Sequence, residues 1–502
     1  MSATAAGVKR GLLIYATAAV LAVAVYAPSL RAGFFSDDFL YIQEDPLLRL
    51  PAAEALPRLA DARLVGNWAP VHHEFLYGEW RLFGADPTGY RIVNLLLYAG
   101  CACALAAAAR RAGLRRGAAL LAGALLLLHP AAVESVAWIS QSKTLLALLF
   151  GLLALERWLV HLIAPSGARL AAALSLAALS LLAKAAFVLL PGVFGVALLT
   201  HAPPGRRLRE LPALACFGLF AAGVLILGVQ AQQSQGGVVP WYGGSPAATA
   251  RVMPGVLWRY LRLGLLPFDP LFGVDPPPPP RWSDVRVLLP AAGVALAAVA
   301  AGWCIVRERR LALAASWWGA ALLPVMQLVP MTTVFADRYL LVALPGLLAP
   351  VACGIDCALA HAPPRARSAA IAAIGAALLG LAAVSAKQAR LWAEPERLYA
   401  AATVAYPEGR IGWIGLGAER EKRGDFAGAA DAYRRALRPA SYQGHVWLLL
   451  GRVRLAEGWL GAALYDLEVG TRLAPDHPYA DWARETAARL RARGVVPEED
   501  GG

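Results

Sequence analysis

The sequence predicts an all-α membrane protein, a polytopic bundle of apolar helices followed by a small domain of repeated helix pairs. Three observations predict it. The 502 residues are 58% hydrophobic and only 16% charged, with a mean hydropathy of +0.52, the balance of a chain that places long segments in lipid. Apolar runs of spanning length recur as far as about residue 386. Beyond that point the chain turns charged and alanine-rich, and it repeats itself with a period of 34 residues.

The apolar runs lie near 11–29, 90–109, 117–133, 144–162, 170–183, 186–201, 211–229, 285–306, 311–329, 339–359 and 369–386. Each approaches the length an apolar helix needs to cross a bilayer, which makes about eleven spans. The stretch 170–201 admits two readings: two short helices split at Lys184, or one long tilted helix. The basic links arbitrate. Lys9/Arg10, Arg110/Arg111/Arg115/Arg116, Arg206/Arg207/Arg209, Arg307/Arg309/Arg310 and Arg365/Arg367 share one side only if the stretch is split. Under the positive-inside rule that side is the cytoplasm. The N-terminus is then cytoplasmic, and 30–89, 134–143, 230–284, 330–338 and everything after 386 face outward. The domains are therefore 1–386, with its external loops 30–89 and 230–284, and 387–502.

The formal charge of +13 belongs to these links. It points to topology and to anionic lipid rather than to nucleic acid. Cys101, Cys103, Cys216, Cys304, Cys353 and Cys357 all lie in apolar spans without metal or disulfide spacing, and are expected to be small core residues. Lys9 and Arg10 before Gly11–Tyr26 resemble a signal peptide. No small-x-small cleavage site follows, so an uncleaved first helix is expected.

Within the loops, short interfacial helices are expected, one around His72–Phe83. Pro246–Leu266 reads as an amphipathic helix with Arg251, Arg259 and Arg262 on its polar side. DPPPPP at 275–280 is stiff polyproline-II. After 386, Trp413, Leu416, Gly417, Gly424, Ala429, Tyr433 and Ala436 have the offsets of a tetratricopeptide (TPR) unit. Trp447, Leu450, Gly451, Gly458, Ala463 and Leu467 follow one period later. Pro407 and Pro475 keep the same beat, with Pro439 and Ser441 near the intermediate position. Glycines are expected to bring paired helices together, with Trp413 and Trp447 buried in the seam. Trp392–Tyr406 reads as a half unit and 477–492 as a capping helix.

Chemistry concentrates on the outward side. GFFSDDFLY (33–41) places Asp37 and Asp38 directly after the first span, where charge is either solvated or functional. His72 and His73 read as a solvated loop pair more readily than as metal ligands, because no further ligand spacing accompanies them. His129 before Pro130 reads as a helix cap or a site residue, with Glu134 close behind it. Lys143 and Lys184 read as snorkelling anchors or as cations of a site. Asp337 and Arg338 in ADRY (336–339) read as an ion pair fixing a helix start, or as site residues. Together they supply a carboxylate for a general base and cations for a leaving phosphate. That is the inventory of a transferase using a lipid phosphate, and no metal is assigned.

SDDF (36–39), FGADPTGYRIVNLLLY (83–98), LHPAAVESVAWISQSKTLLA (128–147), LLAKAAFVLLP (181–191), ADRYLLVALPGL (336–347) and the QARLW linker from 388 resemble, in order and spacing, a GT-C fold glycosyltransferase. The resemblance is closest to the protein O-mannosyltransferase-like enzymes with C-terminal TPR repeats. It implies a multi-pass protein of the bacterial inner membrane that transfers a sugar, with inversion, from a polyprenyl-phosphate carrier to an extracytoplasmic protein or glycan acceptor. It implies that one of Asp37/Asp38 is the catalytic acid group, that Arg338 faces the carrier phosphate, and that the TPR domain binds a protein. His129, Glu134, Lys143 and Lys184 match family positions without a fixed role. The chain also departs from the pattern. Ala69-Pro70-Val71 stands for an Arg-Pro-Leu segment, Arg91 for a histidine before Val-Asn, and Tyr98 for a second histidine. The alternatives are a non-catalytic membrane-anchored TPR scaffold and a GT-C transferase acting on lipid or glycan.

Overall fold

The computed structural model describes residues 2–234, 240–268, 272–274, 276, 278–331, 333–437, 444–475, 477 and 479–499. Pro439 and Ser441 lie outside the described residues, as do Asp275 and Pro277 of the proline run. The chain is 81% helical. Among the described residues seven helices are long and apolar enough to cross a membrane, and the protein is a membrane protein.

In chain order, α1 is Ser2–Tyr26, α2 Ala52–Asp61, α3 Pro70–Phe83, α4 Pro87–Arg111, α5 Arg116–Leu127 and α6 Val133–Ala137. There follow α7 Ser142–Ile163, α8 Gly167–Ala183, α9 Leu190–His201, α10 Pro204–Ser234, α11 Pro246–Leu265, α12 Val285–Arg307, α13 Leu311–Leu322, α14 Asp337–His361 and α15 Pro364–Trp392. The last helices are α16 Pro395–Ala405, α17 Arg410–Lys422, α18 Phe426–Leu437, α19 Gly444–Glu457, α20 Leu460–Leu473 and α21 Ala480–Ala492.

Helix α4 is central: α1, α5 and α7 pack on it, α8 on α7, α14 on α5, and α13 on α14. Two glycines show how close these approaches are. A Cβ on Gly123 would sit 2.7 Å from the Ala102 carbonyl, and one on Gly346 would sit 2.5 Å from that of Ala314. In lipid, where apolar surface gains little by leaving its surroundings, such small-residue contacts are what holds helices together.

The helices break where their sequences stop supporting them. Helix α8 ends at Ala183, Lys184 is extended, and α9 starts at Leu190, so 170–201 is two helices. The run 117–133 is bent by 53° between α5 and the segment 130–137, since Pro130 cannot continue the helix. The run 311–329 stops being helical after Val325. Asp337 and Arg338 form the first turn of α14 instead of a preceding loop. The loop 30–89 holds one feature the all-α reading lacks. Arg63–Leu64 pairs with Asn67–Trp68 as an antiparallel hairpin, turned by Val65 and Gly66 at positive φ.

Two of the basic links, 110–116 and 307–310, meet. Arg115 comes within 4.0 Å of Asp356, and Arg310 packs against Gly113. Among the cysteines, Cys101 is buried as expected, whereas Cys216 and Cys357 face outward, which the apolar character of a thiol permits in lipid.

From α16 onward each helix packs on the next. Gly417 meets the ring of buried Tyr433, and the equivalent Gly451 meets Leu467; an added Cβ would lie 2.6 Å and 2.9 Å away respectively. The glycines thus do what their spacing predicts. Trp413 and Trp447 do not: both are half-buried. Trp413 lies at the edge, donating to the Pro407 carbonyl at 2.8 Å under the Arg435 guanidinium. Substituting Gly417→Val overpacks the Tyr433 contact, a change that typically costs about 1–3 kcal/mol. It is expected to speed protease cleavage within 395–492 of the full-length protein. Unchanged cleavage would contradict this packing.

Candidate functional site

The site is built on two buried clamps from α4 and the first loop. Arg91 lies in the first turn of α4 and is 1% exposed. Its Nε donates to the Ala137 carbonyl at 3.0 Å, and its terminal nitrogens donate to the carbonyls of Ala32 and Gly33. One helical turn on, Asn94 Nδ2 donates to the Trp138 and Ile139 carbonyls at 3.3 and 3.4 Å. Tyr98, a further turn on, donates to Leu126. One stripe of α4 therefore holds the α6–α7 link and the start of the first loop. Arg91 is a structural clamp rather than a lining residue of the site.

Asp38 makes the complementary clamp. It is fully buried, and its two oxygens accept from the backbone N–H groups of Phe35 at 3.0 Å and Ser140 at 2.8 Å. Burial pushes its carboxyl up to about 6; the two amides and the Arg91 charge oppose that rise. After Asp38 the chain winds as a π-helical turn, Phe39–Gln43, a form common at functional sites. Asp37 is different. It is half-exposed, and among the described residues its side chain accepts only a long bond of 3.3 Å from the Ser36 hydroxyl. The structure therefore divides the adjacent pair: Asp38 shapes the loop and Asp37 presents its carboxylate.

Three cations from distant parts of the chain gather with one another, two of them, Lys143 and Arg338, within range of Asp37. Lys143, at the start of α7, is 3% exposed. Its ammonium lies 3.3 Å from the Tyr41 hydroxyl and 4.6 Å from the centre of that ring. Lys184 donates to the Thr144 hydroxyl at 2.8 Å. Among the described residues neither lysine has a carboxylate within ion-pair distance, and neither is a snorkelling anchor. Lys143, Lys184 and Arg338 lie within electrostatic range of one another, and Asp37 within range of Lys143 and Arg338. Arg338 is set by Glu134, whose carboxylate pairs with the guanidinium and accepts from the Arg338 backbone N–H at 3.0 Å. The pair expected within ADRY is thus replaced by one with a residue 204 positions away.

The remaining expected residues fall into place around this group. His129 is buried, with Nδ1 accepting from Ala131 at 3.2 Å and Nε2 3.3 Å from the Gly264 carbonyl of α11. Both ring nitrogens are engaged, so it is a cap. His72 and His73 are not solvated but buried, at 0% and 1% exposure, because α3 turns them inward. Burial and the nearby lysines hold the His72 imidazole well below its ordinary value, and burial brings His73 down to about 4. Asp337 lines a small cavity with Pro130, Val133, Glu134, Phe272, Gln388 and Trp392. Among the described residues no three His, Cys, Asp or Glu side chains gather closely enough to hold a metal ion.

An aromatic cluster without a signal in the sequence covers the group. Phe35 packs edge-on against Trp138, Phe272 and Trp392 at centroid distances of 5.4, 5.9 and 5.2 Å, and stacks on Tyr399 at 5.7 Å. Through Tyr399, and through Lys422 lying 5.0 Å over Phe39, the C-terminal helices touch the loop carrying Asp37. Helix α11 is present as expected. Its Arg259 packs over Phe335 and bonds Tyr406 instead of lying on a polar face. No model of a known protein family matches the chain, and no curated protein matches it.

Arg91→Lys keeps a charge but cannot reach three carbonyls at once. Each buried group left without a partner costs about 1–3 kcal/mol. The expected outcome is a lower melting temperature for Arg91→Lys and for Asp38→Asn, and no loss for Asp37→Asn, measured on detergent-purified protein. An equal loss for Asp37→Asn would contradict the division of the pair.

Proposed function

We propose that this chain is a GT-C type membrane glycosyltransferase, moving a sugar from a polyprenyl-phosphate carrier to an acceptor outside the cytoplasm. The observation that carries the reading is the meeting of Lys143, Lys184 and Arg338, with half-exposed Asp37 within range of Lys143 and Arg338. Among the described residues neither buried Lys143 nor part-buried Lys184 has a carboxylate within ion-pair distance; an ammonium withdrawn from water is costly, and a phosphate is the anion that offsets such a cost. Arg338, held in place by Glu134, offers a planar fork to phosphate oxygens.

The reaction then follows from the positions. The acceptor hydroxyl gives its proton to the Asp37 carboxylate as its oxygen attacks the anomeric carbon. The bond from that carbon to the phosphate oxygen breaks on the opposite side. The phosphate, left with one more negative charge, is stabilised by the fixed cations. Attack opposite to departure inverts the anomeric centre. Asp38, Arg91 and His129 act through the backbone and are positioning residues.

The rest of the architecture agrees with this reading. Seven long spans, the bent α5 segment and three shorter apolar helices, Gly167–Ala183, Leu190–His201 and Leu311–Val325, account for the eleven runs. With the Arg-rich links in the cytoplasm of a bacterial inner membrane, the site opens to the periplasm. Helices α16–α21 are then a periplasmic TPR domain, which brings a protein acceptor to the loop at Asp37.

The test is transfer from a labelled polyprenyl-phosphate sugar in membranes carrying each variant. Asp37→Asn is expected to lose roughly a hundred- to ten-thousand-fold in rate while remaining folded. Arg338→Lys is expected to keep more activity than Arg338→Ala. Label in protein rather than in lipid identifies the acceptor. Full turnover by Asp37→Asn rules out this site, and no transfer by the wild type favours the scaffold alternative.

A further inference from the structure

One buried titratable group has no task in the mechanism above. His72 is fully buried, and among the described residues neither of its ring nitrogens has a hydrogen-bond partner. A polar side chain enclosed in this way normally costs stability, so its retention calls for a ligand. Its surroundings say which kind. The imidazole packs edge-on against Tyr41 at 5.2 Å and lies 5.8 Å from His73. The Lys143 ammonium lies against the same Tyr41 ring. The charged and titratable groups that act on His72 are Lys143 of α7, Lys184 between α8 and α9, and His73 of its own helix. Tyr41 cannot serve as the missing partner. Its hydroxyl already donates to the Leu64 carbonyl at 3.1 Å and receives Asn67 and Lys143 at 3.1 and 3.3 Å.

We propose that His72 is a further binding residue for the carrier phosphate, donating an N–H to the phosphate that Lys143 and Lys184 hold. The inference rests on the phosphate-binding role given to those lysines. A neutral imidazole carries one N–H and needs no counter-charge. It therefore adds a directed hydrogen bond to a cluster whose charge the lysines already provide. The lysines set the electrostatics, and His72 sets where the phosphate oxygen lies.

The test uses the full-length protein in detergent, with binding of farnesyl phosphate and of inorganic phosphate measured by calorimetry and ligand-free melting followed in parallel. His72→Phe keeps a ring of similar size and removes the unpartnered nitrogens. It is expected to weaken farnesyl phosphate binding roughly tenfold or more, with a ligand-free melting temperature equal to or above wild type. His72→Gln, which retains an N–H donor, is expected to recover part of that affinity and serves where His72→Phe does not fold. Weaker binding of both ligands assigns the contact to the phosphate group. Weaker binding of farnesyl phosphate alone places it with the lipid-linked form. Wild-type affinity in both variants would overturn the role of His72 while leaving the lysines in place. Failure of the wild type to bind either ligand would overturn the phosphate site and this inference together.

Discussion

The arrangement depends on one pair of buried charges used in opposite senses. Arg91 collects backbone carbonyls and Asp38 collects backbone amides, and both do so across the same two stretches, 32–38 and 137–140. Loop backbone at the edge of a membrane bundle cannot leave its polar groups bare. A guanidinium and a carboxylate fixed in the core satisfy several at once, and each charge offsets the other's burial. The loop after α1 is thereby locked to the link before α7. That lock sets Asp37 facing outward, and it brings Lys143 to the same place from the other strand of the link.

The cations show the opposite economy. Lys143 is held inside and Lys184 half-buried, both with neutral oxygen partners, and among the described residues only Arg338 of the three has a carboxylate of its own. A fold selected for stability alone would pair or replace such groups. Unneutralised positive charge beside a presented carboxylate is the kind of conflict that proteins keep where they bind or react. The aromatic cluster around Phe35 adds a second constraint, because it ties the loop bearing Asp37 to Trp392 and Tyr399. The C-terminal helices are therefore in contact with the loop that presents the carboxylate.

Much of this was legible in the sequence. Apolar runs, basic links and the break at Lys184 follow from local composition, and each run falls on a helix, although the runs 117–133 and 311–329 leave the helix early. The close contacts of Gly417 and Gly451 follow from a period of 34 residues. What was not legible is non-local. Nothing in SDDF distinguishes Asp37 from Asp38 until Ser140 supplies the second amide. Arg91 reads as a departure from a pattern until its three carbonyls are in view. Arg338 reads as the partner of its neighbour Asp337, because local spacing cannot show that Glu134, 204 positions away in sequence, packs against it. His72 reads as solvated because the sequence, though it predicts a helix from His72 to Phe83, does not show which face of that helix turns inward. The half-exposure of Trp413 and Trp447 has a similar cause: aromatic residues mark the repeat, but the close glycine contacts decide which side chains fill the seam.

The most direct test of the central claim is a structure of the full-length protein with a polyprenyl phosphate bound. The account predicts the phosphate within hydrogen-bond distance of Lys143, Lys184 and Arg338, with the Asp37 carboxylate on the open side and the lipid chain leading away into the bilayer. A phosphate bound at the Arg-rich end of the bundle, or anywhere that leaves the two lysines without an anion, would contradict it.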